Sequence, residues 1–141
     1  MRHTRIALPR ETGKLESPDV VSYNLLTRVS VERLKRLIKE RGFTLFRVID
    51  HSGTAERVGV QMPESKLVMF GKPTVGASVM LAAPPAGLDF PLKVLVWEDR
   101  NGAVSVSYNS PGFLAGRHHL EGALRAPFDA VESIVEALPG A

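Results

Sequence analysis

The chain has 141 residues, 44% of them hydrophobic and 23% charged, which is enough apolar material for one core and too little for two full domains. It contains no cysteine, which excludes a disulfide framework, a thiolate zinc site and a cysteine nucleophile. No apolar run approaches the roughly 20 residues of a spanning helix, and the first nine residues lack the apolar stretch of a signal peptide. The expectation is a cytoplasmic domain with no membrane contact.

The formal charge of +3 is concentrated at one end. Arg2, Arg5, Arg10 and Lys14 against Glu11 account for all of it, and the remainder is neutral overall. A second basic stretch, Arg28, Arg33, Lys35, Arg36, Lys39 and Arg41, reads as a solvated helix face. No aromatics interleave with these charges as a stacking platform for bases requires, which argues against a nucleic-acid partner.

Residues 1–19, with Pro9, Gly13 and Pro18 among charges, show no sustained period and read as a basic N-terminal arm. A single α+β domain is expected over 20–141. Residues 20–29 predict a strand with Val21, Tyr23, Leu25 and Val29 on one face. Ser30 suits an N-cap, Val31, Leu34, Leu37 and Ile38 follow helical spacing, and Gly42 suits the residue after the helix. Phe43 to Ile49 predicts a second strand, and a short helix over Thr54 to Val58 follows, closed by Gly59. Lys66 to Phe70 is a short strand stopped by Gly71-Lys72-Pro73. Thr74 then caps an apolar helix over residues 75–83, expected to be buried against the sheet or a second subunit because it is apolar nearly all round.

Leu92 to Asp99 and Ala103 to Asn109 flank Arg100-Asn101-Gly102, and Asn-Gly suits a two-residue type I′ turn. Centred there, the hairpin pairs Trp97 with Val106, Leu95 with Tyr108 and Asp99 with Val104. Leu95, Trp97, Val104, Val106 and Tyr108 are then the core face, and Val94, Val96 and Glu98 lie opposite with Ser105, Ser107 and Asn109. Pro127 opens a closing helix of Phe128, Val131, Ile134, Val135 and Leu138. The order is strand, helix, four strands with helical insertions, helix: an antiparallel sheet covered on one face by helices.

Several segments together resemble the domain of unknown function 302 family. They are Ile49-Asp50-His51 with Ala55 and Gly59 downstream, Phe70-Gly71-Lys72-Pro73, the run from Leu88 to Asp99, Ser107-Tyr108-Asn109-Ser110-Pro111 and Leu114-Ala115-Gly116-Arg117-His118. The resemblance covers about residues 20–138 and implies a TATA-binding-protein-like arrangement. It brings no activity. Lys72 stands where the family usually has the Asn of a Gly-Asn-Pro turn, so a role that needs an amide there is not implied.

Seven residues are candidates for a ligand site: His51, Lys72, Lys93, Glu98, Tyr108, Arg117 and His118. His51 sits between a strand end and a helix start, where a base or anion contact can stand on a rigid scaffold, or where a polar cap simply fixes the turn. Lys93 begins a strand and can hold an anion or discourage edge pairing. Glu98, the one ionisable group on the Val94 and Val96 face, is a carboxylate placed for acid or base work or for solvation. Arg117 matches a carboxylate or phosphate through its fork. Adjacent His118 and His119 diverge on any regular backbone, so no metal is expected. Residues 71–76 fail the P-loop pattern, although the following helix start can still accept a small anion. Neither a dinucleotide fingerprint nor a nucleophile elbow is present, so no cofactor is expected.

The composite expectation is a non-catalytic module that binds a small anionic ligand or another protein, working as a homodimer because of its apolar helix. The alternatives are a small enzyme with a pocket around His51, Glu98 and Arg117, and nucleic-acid binding, which Glu98 on the hairpin's open face would oppose.

Overall fold

The computed structural model describes residues 13–16, 19–25 and 31–138. Six strands form one sheet, β1 (Gly13–Glu16), β2 (Val20–Asn24), β3 (Thr44–Asp50), β4 (Ser65–Gly71), β5 (Leu92–Glu98) and β6 (Val104–Asn109). Their spatial order is β1-β2-β6-β5-β4-β3, and every neighbouring pair is antiparallel. The architecture is thus α+β, with β1 contributed by the segment read as an arm. In the β3–β4–β5–β6 half each strand pairs with the next in sequence, across a helix, then across a helix and a 3-10 segment, then across a short loop, whereas β2 reaches β6 only across most of the chain.

Five helices complete the domain: α1 (Val31–Glu40), α2 (His51–Arg57), α3 (Pro73–Ala82), α4 (Pro111–Arg117) and α5 (Ala126–Ala137). A 3-10 segment, Pro84–Asp89, joins α3 to β5. In α1 the apolar stripe works as its spacing predicts, burying Leu34, Leu37 and Ile38. Its end is a Schellman motif: Gly42, at φ 79°, donates to Lys39 O and Phe43 donates to Ile38 O, both at 3.0 Å. Ser30, the expected cap, lies outside the described residues. The α5 stripe buries Phe128, Val131, Ile134 and Val135, and Leu138 beyond it is also buried.

The helix-facing side of the sheet is made by Val21, Tyr23 and Leu25 of the β2 segment, Val94 and Val96 of β5, and Val104, Val106 and Tyr108 of β6, all buried. This corrects the hairpin expected from Asn-Gly. The observed partners are Leu95 with Ser107, Val96 with Val106, Trp97 with Ser105 and Glu98 with Val104. Asp99 N donates to Ala103 O, so the loop holds three residues, Arg100, Asn101 and Gly102. Only Gly102 has positive φ, at 81°, and Asp99 Oδ1 accepts from the amides of Asn101 and Ala103 at 2.8 and 3.0 Å. A type I′ turn needs positive φ at both central residues, so Asn101 does not form one, and the loop is the three-residue kind that ends in a left-handed glycine. The one-residue offset turns Leu95 and Trp97 away from the helices and puts Val94 and Val96 beneath them.

The apolar helix α3 is less covered than its composition predicts. Gly76 and Val79 are buried, whereas Leu81 is 86% exposed and Val75 and Met80 are partly open. A segment apolar on every side has no periodic stripe to say which face is inward.

Candidate functional site

The seven residues singled out from sequence do not converge on one cleft. His51 is the exposed first residue of α2. The cap there is Asp50, whose Oδ1 accepts from Gly53 N at 2.9 Å and from Ser52 Oγ at 2.7 Å. Those bonds, the Gly53 amide first, hold the Asp50 carboxyl below its ordinary pKa. Glu98 ends β5 and lines a cleft of about 370 Å³ under α1, together with Glu32, Lys35, Asp50, Glu64 and Lys66. The lysines there already pair, Lys35 with Glu32 at 3.2 Å and Lys66 with Glu64 at 3.1 Å. Tyr108 is buried, and its hydroxyl donates to Glu132 Oε2 of α5 at 3.2 Å. Burial, then the neighbouring Glu132 charge, push its pKa upward.

Lys93, Arg117 and His118 do come together, around a carboxylate that the sequence reading passed over. His118 Nε2 lies 2.5 Å from Asp89 Oδ2, and Arg117 Nη1 lies 3.4 Å from Asp89 Oδ1. Both His118 and Asp89 side chains are nearly buried. Lys93 Nζ donates to Pro91 O at 2.9 Å; burial pushes its pKa down, and the attraction of Asp89 partly offsets this. Asp89 therefore occupies the position an external anion would take. The signal for it was its place in the Leu88-Asp89-Phe90-Pro91 stretch, but only the fold brings it to the end of α4. The His118 ring also faces Phe128 at 6.5 Å, and Phe128 stacks on Phe90 at 4.9 Å. Among the described residues no three His, Asp or Glu side chains gather where they could hold a metal ion.

Lys72 stands apart from this cluster. It precedes Pro73, the first residue of α3, and its ammonium lies 4.8 Å from the centre of the Phe43 ring. Two hollows of about 250 Å³ each open beside it, and both are lined by Gly71, Lys72, Gly76 and Phe90. One continues along Phe43, Leu92 and the start of α5; the other continues along Phe46, Pro73, Met80 and Pro91. Among the described residues Lys72 is the one charged residue lining either hollow. It pairs with no carboxylate among the described residues. Phe43, Phe46 and Phe90 were not foreseen as site residues, because apolar side chains in separate elements carry no local signature of a shared hollow; Gly76, in the first turn of the helix that Lys72 caps, was not foreseen either.

This fold, with a family-wide match, defines the chain's class. Residues 22–138 match the family model described as domain of unknown function DUF302, and the chain belongs to that family. A crystal structure of an uncharacterized conserved DUF302 protein from Bacillus stearothermophilus has the same fold. It superposes with a TM-score of 0.70 at 19% identity, over 86% of this chain and 95% of that one. Over 91 residues, 64% of the chain, the sequence is 36% identical to a protein of Brucella suis named fluoride-specific ion channel FluC 1. It is equally similar to FluC 1 of Brucella abortus and FluC 2 of Brucella melitensis. The matched segment is 36% of the first protein's length and 34% of the other two, so the chain spans about a third of these relatives. Among the described residues no helix is long and apolar enough to cross a membrane.

Proposed function

We propose that the domain is a non-catalytic binding module whose ligand is a small anion held at Lys72. The observation that carries this reading is Lys72, which lines both apolar hollows, lies over the Phe43 ring and pairs with no carboxylate among the described residues. Pockets of this kind bind by burying an apolar body and fixing one polar group. Among the described residues the linings hold no carboxylate, histidine, serine or other polar side chain to work with Lys72 as an acid, base or nucleophile pair, which supports binding without turnover. Arg117 and Lys93 are poorer anion sites, because Arg117 already pairs with Asp89 and Lys93 is half-buried with its ammonium donating to Pro91 O.

The test is a thermal-shift panel of acetate, benzoate, phosphate and fluoride, with fluoride included because the curated relatives are named for it. Ligand at about 100 times its Kd adds about 2.7 kcal/mol of stability. The expected result is a shift lost in Lys72→Met and kept in Arg117→Lys. Equal shifts in the Lys72 variant refute the reading.

A second reading, docking of another copy of the chain to make a homodimer, is favoured by the exposure of Leu81 at 86% and Leu88 at 71%. Sedimentation at micromolar concentration checks it: a dimer that Leu81→Glu dissociates supports it, and a species near 15.4 kDa alone refutes it.

A further inference from the structure

The geometry points to an aromatic monocarboxylate as the ligand class, an inference that rests on the reading of Lys72 as the anion-holding residue. Charge sets the head group. With Lys72 the single cation lining either hollow among the described residues, one negative charge is matched, whereas a phosphate dianion keeps charge uncompensated against apolar walls. The same walls argue against a bare inorganic ion, which loses its hydration and gains one partner.

The walls set the body. Phe43 edges one hollow, Phe46 the other, and Phe90 lies between them. The position of Phe46 comes from a register shift in β3. Leu45 pairs with Phe70 and Arg47 with Met69, so Phe46 is the extra, unpaired residue of a bulge. Bulges re-aim side chains, and this one leaves Phe46 48% exposed where it lines the hollow, its ring 3.5 Å from where a Cβ on Gly71 would stand. A planar aromatic ring can meet these faces edge-on or in offset stacking, which an aliphatic ring of similar size cannot do.

Gly76 sets the room. It lies inside α3, where glycine is less favourable than alanine. Its φ lies outside the left-handed region. An added Cβ would stand 3.6 Å from Phe90 Cδ1 and 3.8 Å from Met80 Cε, ordinary contact distances. Neither backbone nor packing therefore demands glycine, and the space above it is where the two hollows meet.

The experiment titrates the full chain with 1-naphthoate, cyclohexanecarboxylate, acetate, phosphate and neutral 1-naphthalenemethanol, following heat of binding. Naphthoate is expected to bind at least about tenfold tighter than cyclohexanecarboxylate or acetate, a difference of about 1.4 kcal/mol. Lys72→Met and Phe46→Ala are each expected to weaken it by about tenfold or more, and Gly76→Val to block it. Because valine in a helix can impair folding, Gly76→Ala is measured beside it and is expected to weaken naphthoate while leaving acetate unchanged. Acetate or phosphate binding that depends on Lys72, with naphthoate no tighter, overturns the aromatic class and leaves the Lys72 reading intact. Naphthoate or naphthalenemethanol binding that is unchanged in Lys72→Met overturns the Lys72 reading and the carboxylate with it. Silence from every compound overturns both.

Discussion

His118 and Asp89 meet side chain to side chain at 2.5 Å, tying the end of α4 to the 3-10 segment that leads into β5. Both are nearly excluded from water, so removing Asp89 strips His118 of its carboxylate partner, and removing His118 leaves Asp89 with only the 3.4 Å contact to Arg117. Asp89→Ala also deprives Arg117 of its carboxylate. The expected loss is about 3 kcal/mol, read from the urea midpoint, with His118→Ala close to it. A loss under about 1 kcal/mol in both would show that the pair is incidental.

The hairpin register predicts an order of severity. Phe128 is completely buried, and Phe128→Ala is expected to cost about 3–5 kcal/mol. Trp97 lies on the opposite face, half-buried, with its indole N–H donating to Ser107 Oγ at 2.9 Å. Trp97→Ala is expected to cost only about 1–2 kcal/mol. Equal losses in the two variants would mean that Trp97 belongs to the core.

The loop of Arg100, Asn101 and Gly102 joins the Asp99–Ala103 pair. Deleting Arg100 leaves Asn-Gly, which closes the same pair as a two-residue turn, so every cross-strand partner is preserved. The expected cost is under about 1 kcal/mol, mostly the lost Asp99 side-chain bonds. Amide exchange along β5 and β6 checks this: a loss of protection there would show that the register had slipped.

Tyr108 gives a pH prediction. Its folded pKa is raised above the ordinary 10.0, chiefly by burial. Below that ordinary value both folded and unfolded chains carry a neutral phenol. As pH rises past it, the unfolded chain ionises first, so stability falls until the folded group also titrates. Tyr108→Phe should lose some stability near neutrality with the Glu132 bond, yet decline less steeply above about pH 10. Parallel alkaline slopes in denaturation series of the two proteins would refute the assignment.

Gly76→Ala should raise the stability of the ligand-free protein by about 0.5–1 kcal/mol, since the added methyl meets only ordinary contacts. A fall in the melting temperature would show that the space beside Phe90 is tighter than these distances imply.

What the sequence discloses here follows the range of the interaction. Leu34, Leu37 and Ile38, like Phe128, Val131, Ile134 and Val135, mark their own inward faces because helical spacing repeats within a few residues. Asn101-Gly102 correctly signals a hairpin but cannot choose between loops of two and three residues. That choice belongs to the Asp99 carboxylate and to the backbone at Asn101, and it decides which face carries Trp97. The candidate sites are less legible still. Lys72 was visible as a residue beside a helix start, and Gly76 one turn along the same helix, but Phe46 and Phe90 become its neighbours only when β3, α3 and the approach to β5 assemble. Asp89 was hidden for the same reason, being 29 residues from His118.

The seam between β2 and β6, where the hydroxyls of Ser22 and Ser107 lie 2.7 Å apart across 85 residues of sequence, has a consequence for synthesis. Val20–Asn24 leaves the ribosome well before its partner exists, and at ordinary elongation rates the wait is on the order of ten seconds. Throughout that interval the edge of Val20-Val21-Ser22-Tyr23 that does not face β1 presents backbone and apolar side chains to whatever is nearby. The nascent chain is therefore most exposed to aggregation before Val104–Asn109 emerges, and any chaperone dependence should map to that window rather than to the finished domain.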